Sequence, residues 1–528
     1  MIKQLEIQFK EKLFFIASSL FLVLVEVFFW SQLAILLGSE DLNFSQNFLD
    51  LLNRIGLVNI FIFTVILRFM LNNFHVWLIH HIGFGFLKKL RNNLGHSLIN
   101  SNFESYEKIG KGRYTSNIVT NSAIYVDSIL LNKMKIFTDF LQLLSVTFAV
   151  IIVSGIQSLI IIVTLLIIAF IGIFSLRNLF KKWSATIVDL TNKLNKSTDY
   201  LLFALKEIKV NNFGDEIKKF NSAIYSKISR TQIFIRFTQI SPRFAVETLF
   251  YLFIGFYMMK IFSAGSDNAI SLAALSFYLV AGMRVMPLIN QMMIAYNGVR
   301  AGEGPARQLE IDLSLLHEDD NQSHIKSLDN SENVLICKNI AYSYSKKEVI
   351  SNLSCEFSTG DIVHISGKSG SGKTTAVDLF LGLRKPSKGK IYKRKNLDSF
   401  YVSQHPFFPS ANIEDYFKTL NPTVVWEDIS QILISLGLKD LSQNQDYYLG
   451  EGGSNLSGGQ RQLLSLCAAI IVKPKILVLD ETTSGLDAKS EKIFLDYVSK
   501  YFSESLVLFI SHRESSATIC NKKLKFPL

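Results

Sequence analysis

The 528-residue sequence has few cysteines, the residues that cross-link small domains through disulfides or zinc. It has only four cysteines, with no CxxC pair and no histidine at metal-ligand spacing: Cys337, Cys355, Cys467 and Cys520. A disulfide framework and a structural zinc site are therefore not expected, and the cysteine usage fits a reducing compartment. The N-terminus is polar before a long apolar run that no A-x-A site follows, which argues against a cleaved signal peptide.

Charge is also scarce, because charged residues make up 19% of the sequence whereas hydrophobic residues make up 49% and include 42 phenylalanines. The mean hydropathy of +0.26 is too high for an ordinary soluble protein. The apolar excess lies before about residue 295, and the remainder reads as an α/β domain. The chain is long enough for two or three domains.

Six apolar stretches each approach or exceed the roughly 20 residues that cross a bilayer as a helix. They cover residues 13–37, 56–79, 128–153, 157–179, 244–263 and 269–294. The sequence therefore predicts a six-helix transmembrane domain. Helical periodicity persists in the long polar segments, so we expect the helices to continue beyond the bilayer.

Lysine and arginine are concentrated in two polar segments, residues 80–127 and 181–242, whereas the opposite loops hold only Arg54 and Lys260. By the positive-inside rule, both segments and both termini are expected in the cytoplasm. The net charge of +11 fits membrane lipids as partners. We expect no nucleic-acid partner, because the basic residues flank apolar runs.

A phosphate-binding loop follows a strand predicted at Asp361–Ser366. The segment from Gly367 to Thr374 matches G-x-x-x-x-G-K-[ST] and leads into a helix, so that backbone N–H groups and the helix N-terminus can hold phosphate oxygens. Lys373 can reach the β- and γ-phosphates, and Thr374 can bind Mg²⁺. The residues expected to bind ATP here are Gly367, Ser369, Gly370, Gly372, Lys373, Thr374 and Thr375.

Two consecutive acids follow a second strand, which the run ILVL from residue 476 predicts. Asp480 is placed to hold Mg²⁺, directly or through water, and Glu481 to activate the attacking water as a general base. The alternative is a pair of acids that merely caps a strand. The phosphate loop upstream favours the catalytic interpretation.

Between these motifs, Leu456–Gln460 reads LSGGQ, which resembles the signature of ATP-binding-cassette (ABC) proteins. The other motifs of that family follow in its order. The resemblance implies that Tyr344 stacks on adenine, that Gln404 is the lid glutamine and a Mg²⁺ ligand, and that His512 contacts the γ-phosphate. Residues Ser484–Asp487 resemble the D-loop of that family. The resemblance also implies nucleotide contacts from the signature, by Ser457, Gly459 and Gln460, and from the D-loop, by Asp487.

The resemblance implies a fold of two domains in a multi-pass protein of the bacterial inner membrane. An α-helical six-helix transmembrane domain of the exporter type is expected at residues 1–316, with coupling loops near 106–113 and 211–216. A polar linker is expected at 317–333, and an α/β P-loop NTPase cassette at 334–528. ATP and Mg²⁺ are the implied cofactors. Two copies, expected as a homodimer, would close head-to-tail around ATP and drive transport.

Three arginines in or next to the apolar runs, Arg68, Arg243 and Arg284, are candidates for binding a substrate headgroup. Charges inside a membrane are costly and usually functional, and arginine binds phosphate oxygens in bidentate fashion. The alternative is that Arg68 and Arg284 pair with Glu26 and Glu247 to fix helix packing.

The segments around these arginines resemble the lipid-linked oligosaccharide flippases of bacterial N-glycosylation: Ile66–Asn72, Pro242–Glu247 and Arg284–Pro287. That resemblance implies a polyprenyl-pyrophosphate glycan or related glycolipid as cargo. Two alternatives stay open. One is an exporter of peptide, drug or another lipid, and the other is an ATP-gated regulatory or channel-like subunit that does not transport.

Overall fold

The computed structural model describes most of the chain, in residues 9–36, 56–154, 182–183, 185–187, 189–264, 268–316, 325–328, 332–344, 347–395 and 397–526. The contacts divide it into two compact units. Unit 1 contains residues 1–101 and 105–317, and unit 2 contains residues 102–104 and 318–528. The boundaries expected from the sequence remain a prediction.

The N-terminal region is helical. Its helices include α1 (Phe9–Leu36), α2 (Leu57–Ile99), α3 (Phe103–Ile109), α4 (Lys111–Ser116), α5 (Ser122–Ile124), α6 (Leu131–Ser154), α7 (Leu205–Val210), α8 (Gly214–Ala264) and α9 (Asn268–Leu315), and residues 189–203 are helical as well. Two π-helical segments, Asn117–Asn121 and Tyr125–Leu130, join α4, α5 and α6 into one nearly continuous rod. The helices α2, α8 and α9 extend well beyond the apolar stretches, as the periodicity predicted.

In unit 1, some apolar side chains are buried between helices and others are exposed on the surface. This is the pattern of helices that face lipid as well as one another. Trp30, Val146 and Leu288 are buried between α1, α6 and α9. Phe63 and Phe69 on α2 are 65% and 69% exposed.

Among the described residues, three helices are long and apolar enough to cross a membrane: Phe9–Leu33, Val58–Ile99 and Lys111–Ile151. The predicted span at 157–179 lies outside the described residues.

Unit 2 is built on a five-stranded parallel sheet in the order β6-β7-β8-β4-β9. The inner strands β7, β8 and β4 are largely apolar and buried because helices cover both faces of such a sheet, whereas the edge strand β9 carries three lysines. The bounds are β4 (Ile362–Ser366), β6 (Ser399–Val402), β7 (Ile476–Asp480), β8 (Leu506–Ile510) and β9 (Lys522–Lys525).

A smaller four-stranded sheet has the order β1-β5-β2-β3. Its strands are β1 (Ile325–Leu328), β2 (Asn333–Tyr344), β3 (Lys347–Ser358) and β5 (Lys388–Arg394). Strand β1 lies inside the polar segment expected to be a linker, where it pairs in parallel with β5. A four-residue edge strand with two exposed central residues is too short to stand out in a polar sequence.

The helices of unit 2 pack around these sheets. They are α10 (Lys373–Leu381), α11 (Ile413–Leu420), α12 (Trp426–Ser435), α13 (Lys439–Ser442), α14 (Gly458–Val472), α15 (Ala488–Tyr501) and α16 (Glu514–Ala517). The largest core joins α14 and α15 to the sheet and contains Leu464, Phe494 and Phe509, each fully buried.

We predict that Gly389→Ala destabilises the cassette more than Gly437→Ala does. Both glycines have φ of +84°, so both substitutions carry the cost of a left-handed residue, about 1 kcal/mol. A Cβ at Gly389 would lie 2.3 Å from the Asn339 carbonyl oxygen, whereas one at Gly437 meets open space. This collision should add about 1–3 kcal/mol, as overpacking does.

The measurement is thermal unfolding of the detergent-solubilised full chain, monitored through the cassette. Equal losses for the two variants would contradict the close approach of β5 to β2.

Candidate ATP-binding site

The loop from Gly367 to Gly372 connects β4 to α10, as the motif predicted. The Lys373 ammonium is buried and donates to the carbonyl oxygens of Gly367 and Lys368, at 2.9 and 3.0 Å. Gly372 has φ of +93°, and a Cβ there would lie 2.8 Å from a methyl of Val349. The positive φ and the close approach of Val349 therefore favour glycine at this position.

Asp480 and Glu481 lie at the carboxyl end of β7, at the edge of the sheet where β6, β8 and β4 also end. Burial, together with the neighbouring Glu481 carboxylate, raises the pKa of Asp480. The Tyr401 hydroxyl donates to Asp480 Oδ2 at 2.5 Å, and this hydrogen bond opposes the rise in the pKa. The positive charge of Lys373 opposes the rise as well. The contacts to Tyr401 and Lys373 favour the ionised form.

Glu481 has φ of +49°, which is rare for a residue with a side chain. Two hydrogen bonds hold this conformation: the Glu481 N–H donates to the Ile510 carbonyl at 2.9 Å, and Ser484 Oγ donates to the Glu481 carbonyl at 2.8 Å. Strain of this kind costs about 1–3 kcal/mol and concentrates at functional sites.

The Glu481 carboxylate contacts two of the side chains that the sequence singled out. Gln404 Nε2 donates to Oε2 at 2.9 Å, and His512 Nε2 lies 3.5 Å from Oε1. Gln404 follows β6 and His512 follows β8, the two strands that flank β7, so the sheet order brings all three side chains to one edge. The Glu481 side chain is 30% exposed, which leaves its carboxylate accessible.

The LSGGQ segment forms the N-terminus of α14. Ser457 Oγ accepts from the Gln460 N–H at 3.2 Å, and Gln460 Oε1 accepts from the Ser457 N–H at 2.8 Å. This capping box defines the helix start, where Gly458 is exposed and Gly459 is half-buried. The segment and the D-loop line a cavity of about 360 Å³, whose lining includes Ser457, Gly459, Gln460, Gly485, Leu486 and Asp487. Asp487 caps α15 by accepting from the Ser490 N–H, which lowers its pKa.

Tyr344 ends β2 and is 41% exposed, with its hydroxyl 3.4 Å from Thr375 Oγ1. It therefore lies beside the helix that begins at the phosphate loop. Ser369 and Gly370 lie within that loop, and Thr374 follows Lys373 in the first turn of α10.

Three side chains that the sequence did not indicate also contact this site. Tyr401 binds Asp480, and Gln462 Nε2 donates to the Gln404 carbonyl at 2.6 Å. Arg513 donates to the D-loop carbonyl of Ser484 at 3.0 Å and pairs with Glu491. Each is close in sequence to a motif residue, but its contact depends on strand register or helix rotation.

The membrane arginines share one partner. Arg68 on α2 and Arg284 on α9 both pair with Glu26 Oε1 on α1, at 3.0 and 2.7 Å, and Glu26 is fully buried. Arg284 also donates to Gln142 Oε1 on α6 at 2.8 Å. These ion pairs are the contacts expected under the alternative in which the arginines pair with Glu26 to fix helix packing. The side chain of Arg243 lies outside the described residues.

Comparisons with known proteins place these motifs in a family. The family model described as ABC transporter matches residues 350–484. The zinc import ATP-binding protein ZnuC of Wigglesworthia glossinidia brevipalpis is 36% identical over 186 residues, which cover 34% of this chain and 77% of that protein. The chain therefore belongs to the ABC transporter family.

Within that family, the chain is a half-transporter of the exporter class, with one membrane region fused to one cassette. The multidrug resistance-like ATP-binding protein MdlB of Buchnera aphidicola subsp. Schizaphis graminum is 24% identical over 499 residues, which cover 89% of this chain and 83% of that protein. A bacterial Atm1-family ABC exporter with ATP bound has the same fold, with a TM-score of 0.77 at 17% identity, covering 98% of this chain and 93% of that one. The predicted fold class is confirmed, and the protein is an ATPase that uses ATP with Mg²⁺ to drive transport.

A second export protein matches over a shorter range. The alpha-hemolysin translocation ATP-binding protein HlyB of Escherichia coli O157:H7 is 29% identical over 204 residues, which cover 35% of this chain and 29% of that protein.

We predict that Glu26→Gln lowers the free energy of unfolding by about 3 kcal/mol, because removing one partner of a buried ion pair leaves the other charge uncompensated. Here two guanidiniums lose their shared carboxylate. The measurement is thermal unfolding of the purified full chain in detergent. Glu303→Gln is the matched control, because Glu303 pairs with Arg300 but is 42% exposed and should cost less than about 1 kcal/mol. Equal shifts for both variants would show that Glu26 does not hold the helices together.

Proposed function

We propose that two copies of this chain form a homodimer in the bacterial inner membrane, with both termini in the cytoplasm, that couples ATP hydrolysis to export of an amphipathic substrate. The observation that carries the proposal is the convergence of Gln404, Glu481 and His512 at one sheet edge of a single chain. Because each protomer holds a complete set of these residues, a dimer of identical chains would have two competent sites. A degenerate regulatory subunit would not need that set.

In this proposal the loop residues Ser369, Gly370 and Gly372 bind phosphate oxygens through backbone N–H groups. Lys373 and Thr375 add side-chain donors, and Gly367 provides the turn that leads from β4 into the loop. Lys373 would exchange its present carbonyl partners for the β- and γ-phosphates.

Mg²⁺ would be held by Thr374, Gln404 and Asp480. All three offer oxygen ligands, which is the donor type that Mg²⁺ prefers. Burial raises the pKa of Asp480, and Tyr401 and Lys373 act against this rise. The oxygen donor set of the three residues fits the ion. When bound, Mg²⁺ supplies charge neutralisation between the β- and γ-phosphates.

Glu481 would accept a proton from the attacking water, with its carboxylate oriented by Gln404 and His512. Gln404 now binds one carboxylate oxygen and His512 lies near the other, so movement of either residue changes which oxygen faces the water. His512 would then contact the γ-phosphate. The strained backbone of Glu481 keeps its side chain at the sheet edge.

The signature and D-loop residues would act across the dimer. Ser457, Gly459 and Gln460 lie at the exposed N-terminus of α14, a favourable place for a phosphate group. We propose that they contact the γ-phosphate held by the partner subunit, and that Asp487 lies at the same interface. ATP then joins the two cassettes, and hydrolysis releases them.

For the cargo, our first candidate is a lipid-linked oligosaccharide or a related glycolipid with an anionic headgroup. Arg68 and Arg284 lie on different helices and are held by one carboxylate, and Asp139 on α6 interacts electrostatically with Arg284. A pyrophosphate could replace Glu26 as the common partner of both guanidiniums. Arg243 is a further candidate contact. The resemblance of the flanking segments to flippases of lipid-linked oligosaccharides supports this candidate.

A second candidate is a drug, a peptide or another lipid. A cavity of about 360 Å³ between α8 and α9 is lined by the aromatic rings of Phe250 and Tyr251, by Met283 and Met286, and by the acidic Glu247. Such a lining suits an apolar or cationic molecule. The names of the MdlB and HlyB relatives, which refer to multidrug resistance and toxin translocation, point in the same direction.

We predict that Glu481→Gln lowers ATP turnover by about 10²–10⁴-fold, the usual contribution of a general base, while ATP binding and ATP-induced approach of the cassettes persist. The measurements are phosphate release and ATP-dependent energy transfer between labelled cassettes in nanodiscs. Glu427→Gln changes an exposed acid on α12 and serves as the control. Turnover within tenfold of the original protein would overturn the general-base role.

The two cargo candidates separate in proteoliposomes. We predict that a polyprenyl-pyrophosphate sugar stimulates ATPase activity. Arg68→Met combined with Arg284→Met and Glu26→Met, which leaves no buried charge of this group unpaired, should remove the stimulation without lowering basal turnover. The substitution Tyr251→Met should leave the stimulation intact. Stimulation by a peptide or an organic cation, sensitive to Tyr251→Met and indifferent to the arginines, would favour the second candidate. Failure of every candidate molecule to stimulate ATP turnover would favour a regulatory subunit.

A further inference from the structure

A buried arginine lies between the two ends of the proposed nucleotide site. Arg384 follows α10 and its side chain is 3% exposed, which is rare for a charged residue unless it is paired. Neither the phosphate loop nor the signature includes it. Its contacts therefore indicate what holds it there.

On one side, Arg384 is tied to the helix that begins at the phosphate loop. Its Nε donates to Asp378 Oδ2 on α10 at 2.9 Å. Asp378 lies five positions after Lys373 on the same helix. Because a helix is stiff over this length, the ion pair fixes Arg384 relative to the phosphate loop.

On the other side, the guanidinium lies against aromatic rings. Its Cζ is 5.0 Å from the ring centre of Tyr344, 5.8 Å from that of Tyr342 and 5.5 Å from that of Phe103. All three distances lie within the range of cation–π attraction. The Tyr342 and Tyr344 rings also meet edge to face at 5.1 Å.

Tyr342 is itself anchored, because its hydroxyl donates to Glu104 Oε1 at 2.8 Å and accepts from Arg384 Nη1 at 3.4 Å. Tyr344, in contrast, is 41% exposed at the end of β2. Burial alone does not fix its ring. The contacts with Arg384, Tyr342 and Thr375 do so.

We infer that Arg384 is a positioning residue for the nucleotide base. Arg384 sets the span between the ring of Tyr344 and the phosphate loop. The inference rests on the proposed role of Tyr344 as the adenine platform. Adenine nucleotides contact both the ring of Tyr344 and the phosphate loop, so a fixed distance between the two strengthens their binding. A ligand that contacts only the phosphate loop is not affected by that distance.

Inorganic tripolyphosphate is such a ligand, because it carries the phosphate chain of ATP without the base. The experiment measures dissociation constants of ATP and tripolyphosphate by calorimetry on the full chain in nanodiscs, without Mg²⁺ so that ATP is not hydrolysed. For Arg384→Met we expect the dissociation constant of ATP to rise about tenfold, within the range that base–aromatic stacking contributes, and that of tripolyphosphate to stay within about twofold. Arg384→Lys keeps the charge but not the planar fork of the guanidinium. Its dissociation constant for ATP should therefore lie between those of the original protein and of Arg384→Met.

Lys385→Met is the matched control, because Lys385 is the exposed neighbour and should change neither constant. Tyr344→Ala tests the platform itself and should weaken ATP but not tripolyphosphate. If Tyr344→Ala leaves the ratio of the two constants unchanged, the proposed role of Tyr344 fails. If Tyr344→Ala lowers the preference for ATP but Arg384→Met does not, only the role of Arg384 is overturned.

A loss of affinity for both ligands in Arg384→Met would show that the residue supports the phosphate loop instead, and this too would overturn the inference. If Arg384→Met does not fold, Arg384→Lys carries the same test. An unchanged ATP-to-tripolyphosphate ratio in a folded Arg384→Lys would then count against the positioning role.

Discussion

The order of strands in the parallel sheet is the constraint on which the ATP site depends. Strand β7 lies between β6 and β8, so the residues that follow these three strands meet at one edge. Gln404, Glu481 and His512 lie far apart in the sequence, yet the first and last both contact the carboxylate of the second. Apolar strands covered on both faces hold this edge still, and precise placement of donors and acids is what phosphoryl transfer requires.

The membrane region uses a different physical device for the same purpose. In a parallel sheet the backbone hydrogen bonds fix neighbours, but membrane helices satisfy their backbone internally and need side chains to fix their packing. Glu26 fixes this packing by pairing with Arg68 and Arg284, which lie on two other helices. Arg284 also binds Gln142 on a further helix. An interaction that holds helices together through exchangeable charges can also be changed by a charged substrate.

Much of the cassette could be predicted from the sequence because its motifs are contiguous and follow strands of clear apolar character. The phosphate loop follows β4, the two acids end β7 and the histidine follows β8, as the sequence predicts. The contacts of Tyr401, Arg384 and Arg513 could not be predicted, because they depend on strand register and side-chain direction. The edge strand β1 could not be predicted either, because its sequence is short and polar.

The ATP site is better defined by the sequence than the cargo site for a related reason. Phosphates are recognised largely by backbone N–H groups, and a glycine pattern reports where the backbone is free to do so. A cargo site in a helical membrane region is assembled from single side chains on several helices, and a lone arginine reports neither its rotation nor its partner. Glu26 illustrates the difference: the sequence shows an acid among apolar residues, whereas the structure shows that it pairs with two arginines on different helices.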